Sequence, residues 1–198
     1  MENDSKEKLL QTAIELFADD GFDKTSIRQL AAKANVNSAL ISYHFGSKQG
    51  LYQAAVEKQL QILVDFTQKA QNGENSPIDI LELYAATMLK IHTENPYFIK
   101  LCYREFIAPS AILEAFAQNH LKYVFEIIAK ALHRGIEEGL FRQDLDVDAA
   151  VILWAGMVNF FFFSRPIRSR IKDEKSLPAT TYLTQTLDIF LSGIKRRD

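Results

Sequence analysis

Four basic side chains, Lys24, Arg28, Lys33 and Lys48, stand in a stretch from Lys24 to Val56 that holds no acidic residue. Ammonium and guanidinium groups repeated along one short segment suit phosphate oxygens, and several together suit the regular rails of a nucleic-acid backbone. Hydroxyl and ring groups are interleaved with them: Thr25, Ser26, Ser38, Ser42, Tyr43 and His44. Such groups hydrogen-bond to phosphates, which sets register, or to base edges, which sets sequence choice.

Other chemistries have weaker support. Asp144, Asp146 and Asp148 alternate as in a calcium loop, but Ala149 stands where the turn glycine belongs and Ala155 where the closing carboxylate belongs. Helix capping is the better reading. His44, His92, His120 and His133 lie far apart with no i, i+4 pair, against a zinc site. No serine–histidine–aspartate order, phosphate loop or Gly-x-Gly-x-x-Gly occurs, so no enzyme activity, cofactor or metal is expected. The single cysteine, Cys102, lies among Phe98, Ile99, Leu101 and Tyr103 and reads as a buried thiol in a reducing, cytoplasmic setting.

The elements that must position the basic window are short helices. Ser26 followed by Gln29 has capping-box spacing, and Ile27, Leu30, Ala31 and Ala34 then fall on one face. Asn35 tolerates the left-handed conformation that ends a helix. Asn37 suits the cap of the next helix, Ser38–Phe45, whose inner side carries Ile41 and Phe45. Ser38, Ala39, Ser42 and Tyr43 are left outside, with Leu40 ambiguous. Gly46 breaks this helix, and Ser47 caps a long one running to about Ala70 with Lys48 in its first turn. Two short helices joined by a tight turn form a helix-turn-helix pattern, and the small residues opening the second let it approach base edges.

This segment resembles the DNA-binding domain of the TetR family of bacterial transcription regulators. The resemblance is carried by Ala34, the turn Asn35-Val36-Asn37, Ser42-Tyr43-His44-Phe45 and Gly46-Ser47-Lys48-Gln49-Gly50-Leu51. Upstream, Ala13, Leu16, Phe17, Gly21 and Phe22 match the family's Ala-x-x-Leu-Phe-x-x-x-Gly-Phe run. Asn35 replaces the usual turn glycine, and Ser42 stands where the family most often has tyrosine. The resemblance implies that Thr25 and Lys48 hold phosphates and that Tyr43 and His44 contact backbone or base edges. It also implies that Arg28, Ser38, Ala39 and Leu40 face the groove. Ser26, Asn37 and Ser42 complete the expected DNA-binding set.

The 198 residues are 47% apolar with a net charge of -2, enough for a real core and against a DNA-coating protein. The expected architecture is all-α with about nine helices: a helix-turn-helix head over residues 1–46, and a helical ligand-binding and dimerisation domain over 47–198. The first helix should start after Asp4, and later ones near Ser76, Ser110 and Asp146 or Asp148. Arg165-Pro166 should end the helix that carries Trp154. The apolar run Ala149–Phe163 falls short of a membrane span and contains Asn159, so no membrane partner is expected.

That run is apolar nearly all round and therefore needs cover on every side. Paired with the last helix it suggests a four-helix homodimer interface, as the resemblance also implies, through Val158, Phe161, Phe162, Leu183, Leu187 and Phe190. A ligand pocket is expected among Tyr84, Met88, Phe98, Tyr103, Phe116, Tyr123 and Trp154. The function expected is a cytoplasmic repressor released from a palindromic double-stranded operator by a small apolar or amphipathic effector, with the long helix after Ser47 as lever. The alternative is a small-molecule carrier or protein-interaction adaptor that keeps the helix-turn-helix as scaffold.

Overall fold

The computed structural model describes residues 2–72, 74–95, 97–98, 100–101, 111, 114, 118, 121–171 and 177–196. Nine helices occur among them: α1 Glu2–Asp19, α2 Ile27–Ala34, α3 Ala39–Phe45, α4 Lys48–Asn72, α5 Pro77–Glu94, α6 Lys122–Glu137, α7 Val147–Phe163, α8 Arg165–Ile171 and α9 Ala179–Ile194. The described residues contain no strand, only an isolated bridge between Phe141 and Lys195. Two compact units divide the chain, residues 1–61 with 95–117 and residues 62–94 with 118–198. The division falls inside α4, not before it, because the first turns of α4 are part of the head's own core.

In the first unit Leu9, Ala13, Ile14 and Phe17 of α1, Leu30 and Ala31 of α2, Ile41 of α3 and Leu51, Tyr52 and Ala55 of α4 are all buried. Phe17 meets Tyr52 edge-on at 5.0 Å, and Phe22 meets Tyr52 at 5.1 Å. α1 starts earlier than expected, at Glu2, and Asp4 pairs with Lys8 one turn on instead of capping. The α2 cap follows expectation: Gln29 N–H donates to Ser26 Oγ at 3.2 Å, and Ser26 N–H to Gln29 Oε1 at 2.8 Å. Asn35 adopts the left-handed conformation at φ 54°, which ends α2 and turns the chain toward α3. Gly46, at φ 74°, makes the second turn. Gly50 has a different reason to be glycine: a Cβ there would run into the Phe45 carbonyl oxygen, so α3 and α4 approach closely.

The second unit is a helix bundle in which α5 packs on α6, α6 on α7, and α7 on α9. Trp154 at its centre is fully buried and lies 5.0 Å from Phe190. Ser76 and Asp79 cap α5 reciprocally, and Asp146 caps α7 through the Ala149 N–H at 3.0 Å. α6 is closed by Gly139 at φ 73°, two residues beyond its last helical residue Glu137. The helix that carries Trp154 ends at Phe163, with Ser164 as its C-cap, just before Arg165-Pro166 as expected. A separate short helix, α8, then starts at Arg165 with its axis bent by 56° from α7, and Pro166 sits in its first turn, where a missing N–H has no partner to lose. No single helix among the described residues is long and apolar enough to cross a membrane.

Candidate nucleic-acid interface

α3 carries its outer surface on one side. Ile41 is fully buried, while Ser38, Ala39, Ser42 and Tyr43 are exposed, Tyr43 to 69%. Leu40, His44 and Phe45 are half-buried. The helix therefore stands on Ile41 and presents small and hydroxyl-bearing groups outward. Asn37 is exposed and fixes the start of α3: its Oδ1 accepts the Ala39 N–H at 2.9 Å. His44 is not free to turn outward at will, because its Nε2 lies 3.1 Å from the Ser5 hydroxyl of α1. Ser26, Arg28 and Lys24 are exposed at and before the start of α2.

Lys48 begins α4 beside this surface. It is half-buried, with its ammonium 4.2 Å from the centroid of the Phe22 ring. An ammonium over a ring face is held by the ring's quadrupole while its remaining hydrogens stay available to an anion.

Two expected residues stand differently. Thr25 is 1% exposed, and its hydroxyl donates to the Gly21 carbonyl at 2.7 Å. That carbonyl lies just past the end of α1, and the same hydroxyl is 3.4 Å from the Leu16 carbonyl within α1, so the Thr25 side chain ties the residues before α2 back to α1 instead of reaching a phosphate. Lys33, part of the acid-free window, pairs with Glu15 of α1 at 3.0 Å. The Glu15 carboxylate also holds the Lys33 ammonium above its usual pKa. An acid-free window in sequence is thus not acid-free in space, and Lys24, Arg28 and Lys48 are the cations of this stretch left to the outer surface.

The expected pocket and interface residues are placed as follows. In the second unit Tyr84, Met88 and Trp154 are buried, and Tyr84 accepts a hydrogen bond from Asn159 at 2.7 Å. Burial pushes the Tyr84 phenol up to about 12, so it stays neutral. Tyr123 is 51% exposed and faces out of the bundle. Phe98 is buried but belongs to the other unit. Tyr103 and Phe116 lie outside the described residues.

Val158, Phe161, Phe162, Leu183 and Phe190 are buried in the chain's own interior and Leu187 half-buried, so they are not the surface left for a partner. Phe161 is sandwiched instead, with the Tyr182 ring at 4.4 Å and the Arg168 guanidinium at 3.8 Å. On α7 and α9 the outward large apolar residues are Ile152, Leu153, Phe160 and Ile189, each at least 60% exposed, and Ile167 and Ile171 of α8 are exposed as well. Sequence reasoning missed them, although Ile152, Gly156 and Phe160 repeat at four-residue spacing.

The chain is similar to known proteins across both units. Residues 9–55 match the tetR family of bacterial regulatory proteins, and residues 77–182, just over half of the chain, match the Tetracyclin repressor-like C-terminal domain. A biofilm operon icaADBC HTH-type negative transcriptional regulator, IcaR of Staphylococcus epidermidis, is 29% identical over 65% of this chain and 65% of its own length. A probable HTH-type transcriptional regulator of Bacillus subtilis, YttP, is 28% identical over 70% of this chain and 66% of its own length. The matched part of this chain thus spans about two thirds of each of these relatives. The crystal structure of HlyIIR, a hemolysin II transcriptional regulator, superposes with a TM-score of 0.70 at 25% identity, covering 100% of both chains. With a helix-turn-helix surface in one unit and a family match that extends over the helical bundle of the other, this chain belongs to the tetR family of bacterial regulatory proteins.

Proposed function

We propose that this chain is a transcriptional repressor rather than an enzyme, acting in the cytoplasm as a homodimer on a palindromic operator. The single observation that carries this reading is the outward face of α3, Ser38, Ala39, Ser42 and Tyr43, followed at the start of α4 by the Lys48 ammonium held on the Phe22 ring. Ser26, Arg28, Asn37, Leu40 and His44 complete the proposed DNA surface. Two copies of α3 related by a two-fold axis would enter successive major grooves about 34–36 Å apart. Repression is supported by the similarity to a negative regulator.

Dimerisation is supported by the uncovered apolar residues of α7 and α9, since monomeric proteins seldom leave such patches to water. Its proposed surface is Ile152, Leu153, Gly156, Phe160 and Ile189. A small apolar or amphipathic effector would bind within the second unit near Tyr84, Met88 and Trp154. If it binds better to a dimer whose heads misfit the operator, linkage requires that it weaken DNA binding. The test is a gel-shift titration of the full chain against genomic fragments. A small set of fragments should be retained, and Lys48→Ala and Tyr43→Ala should weaken retention without loss of fold. Retention of no fragment would reject the reading.

A further inference from the structure

We infer that α3 selects its operator through the C5-methyl groups of thymine, with Ala39 as the side chain that meets them. This rests on the DNA-binding reading above and names what that surface recognises.

In the major groove the strong single-base discriminators are two-point hydrogen bonds: a guanidinium or ammonium to guanine, a carboxamide to adenine, a carboxylate to the cytosine amino group. The outward face of α3 carries none of these groups. The nearest carboxamide, Asn37, already uses its oxygen on the Ala39 N–H at 2.9 Å. That fixes its amide along the helix start, and turning it onto an adenine edge would give up this cap. Gln29 on α2 is committed in the same way, its Oε1 accepting the Ser26 N–H at 2.8 Å. Lys33 is drawn off by Glu15, while the exposed Arg28 stays available as a separate reader on α2.

What remains fully exposed on α3 is a set of hydroxyls, the Tyr43 ring and one methyl, with Leu40 and His44 half-buried beside them. Ser38 and Ser42 can donate or accept, so they discriminate weakly among base edges. The Ala39 methyl lies in the first turn, exposed, beside the half-buried Leu40. Opposite it in a groove, thymine alone offers an apolar partner. The short side chains let the helix backbone lie close to the groove floor, which a single methyl needs to reach that partner. Direct readout by α3 is therefore apolar, and each half-site should hold thymine at the step facing Ala39.

The test uses one fragment retained by the full chain and replaces its thymines by deoxyuridine one at a time, which removes the methyl and nothing else. Competition gel shifts should show a loss of about fourfold per half-site at one or two thymines and none elsewhere, as expected for one buried methyl. Ala39→Gly should bind thymine and uracil alike at those steps. Uracil tolerated at every position, with the fragment still bound, overturns this inference and leaves the DNA-binding reading standing. Methyl sensitivity that survives in Ala39→Gly overturns the assignment to Ala39. Retention of no fragment at all overturns both.

Discussion

The Lys48 ammonium lies 4.2 Å from the centroid of the Phe22 ring, so the first residue of α4 is tied to the loop between α1 and α2. The ring is itself packed against Phe17 and Tyr52. A cation held in this way is pre-oriented before any phosphate arrives, and less side-chain freedom is lost on binding.

Lys48→Ala should therefore weaken operator binding and reduce the slope of log affinity against log salt by about 0.9 per protomer, since one phosphate contact is lost. Phe22→Leu keeps the charge and should leave that slope unchanged while weakening binding by roughly threefold, the size of an exposed cation–π contact. Anisotropy titrations at several salt concentrations separate the two. Equal slopes in Lys48→Ala and wild type would remove Lys48 from the interface.

Thr25→Val tests the opposite role. The substitution leaves the Gly21 carbonyl without its hydroxyl donor in a buried position. Loss of stability by about 1–3 kcal/mol is expected, with the salt slope of DNA binding unaltered. Urea denaturation alongside the same salt series reads both. A changed slope in a stable variant would return Thr25 to the phosphate contacts.

His92 makes the second unit acid-sensitive. It is buried, stacked on Phe162 at 3.9 Å, and burial lowers its pKa to about 4, against a smaller raising effect of Asn159. The unfolded chain takes up this proton near pH 6.5, the folded chain only near 4. The contribution is thus whole above pH 6.5 and is lost as pH falls towards 4, on the order of 2 kcal/mol by pH 5. His92→Gln should flatten the difference in urea midpoint between pH 7 and pH 5. An unchanged pH dependence in that variant would place the sensitivity elsewhere.

Phe160 and Phe162 are two positions apart and predict different failures. Phe160 is 66% exposed, and Phe160→Glu should shift the sedimentation coefficient from dimer to monomer with the melting transition of the protomer retained. Phe162 is 6% exposed, and Phe162→Ala should cost about 3–5 kcal/mol of stability through the cavity it leaves. Dimers surviving Phe160→Glu would reject α7 as the contact face.

Much of the head was legible in the chain because its signals are local. Ser26 and Gln29 cap α2, Asn35 turns left-handed, Gly46 ends α3 and Ile41 points inward, all as spacing requires. The outward set Ser38, Ala39, Ser42 and Tyr43 followed from the same periodicity. The helical bundle and the Asp146 cap were equally readable.

Pairings between segments were not readable in this way. Glu15 lies eighteen positions before Lys33, and nothing in either neighbourhood announces that α1 brings them to 3.0 Å. Thr25 could have faced a phosphate or a carbonyl until α1 ended beneath it. α7 is the clearest case. With no polar side, its periodicity defines a helix but no orientation, and only packing against α5, α6 and α9 decides that Val158 and Phe162 turn inward while Ile152 and Phe160 turn out. Local hydrogen bonding and amphipathic contrast are written in neighbouring residues, and these alone determined the helices and the inner side of the head. Which charge is neutralised, and which face of an all-apolar helix is left bare, depends on residues far along the chain, so the tertiary structure decided both.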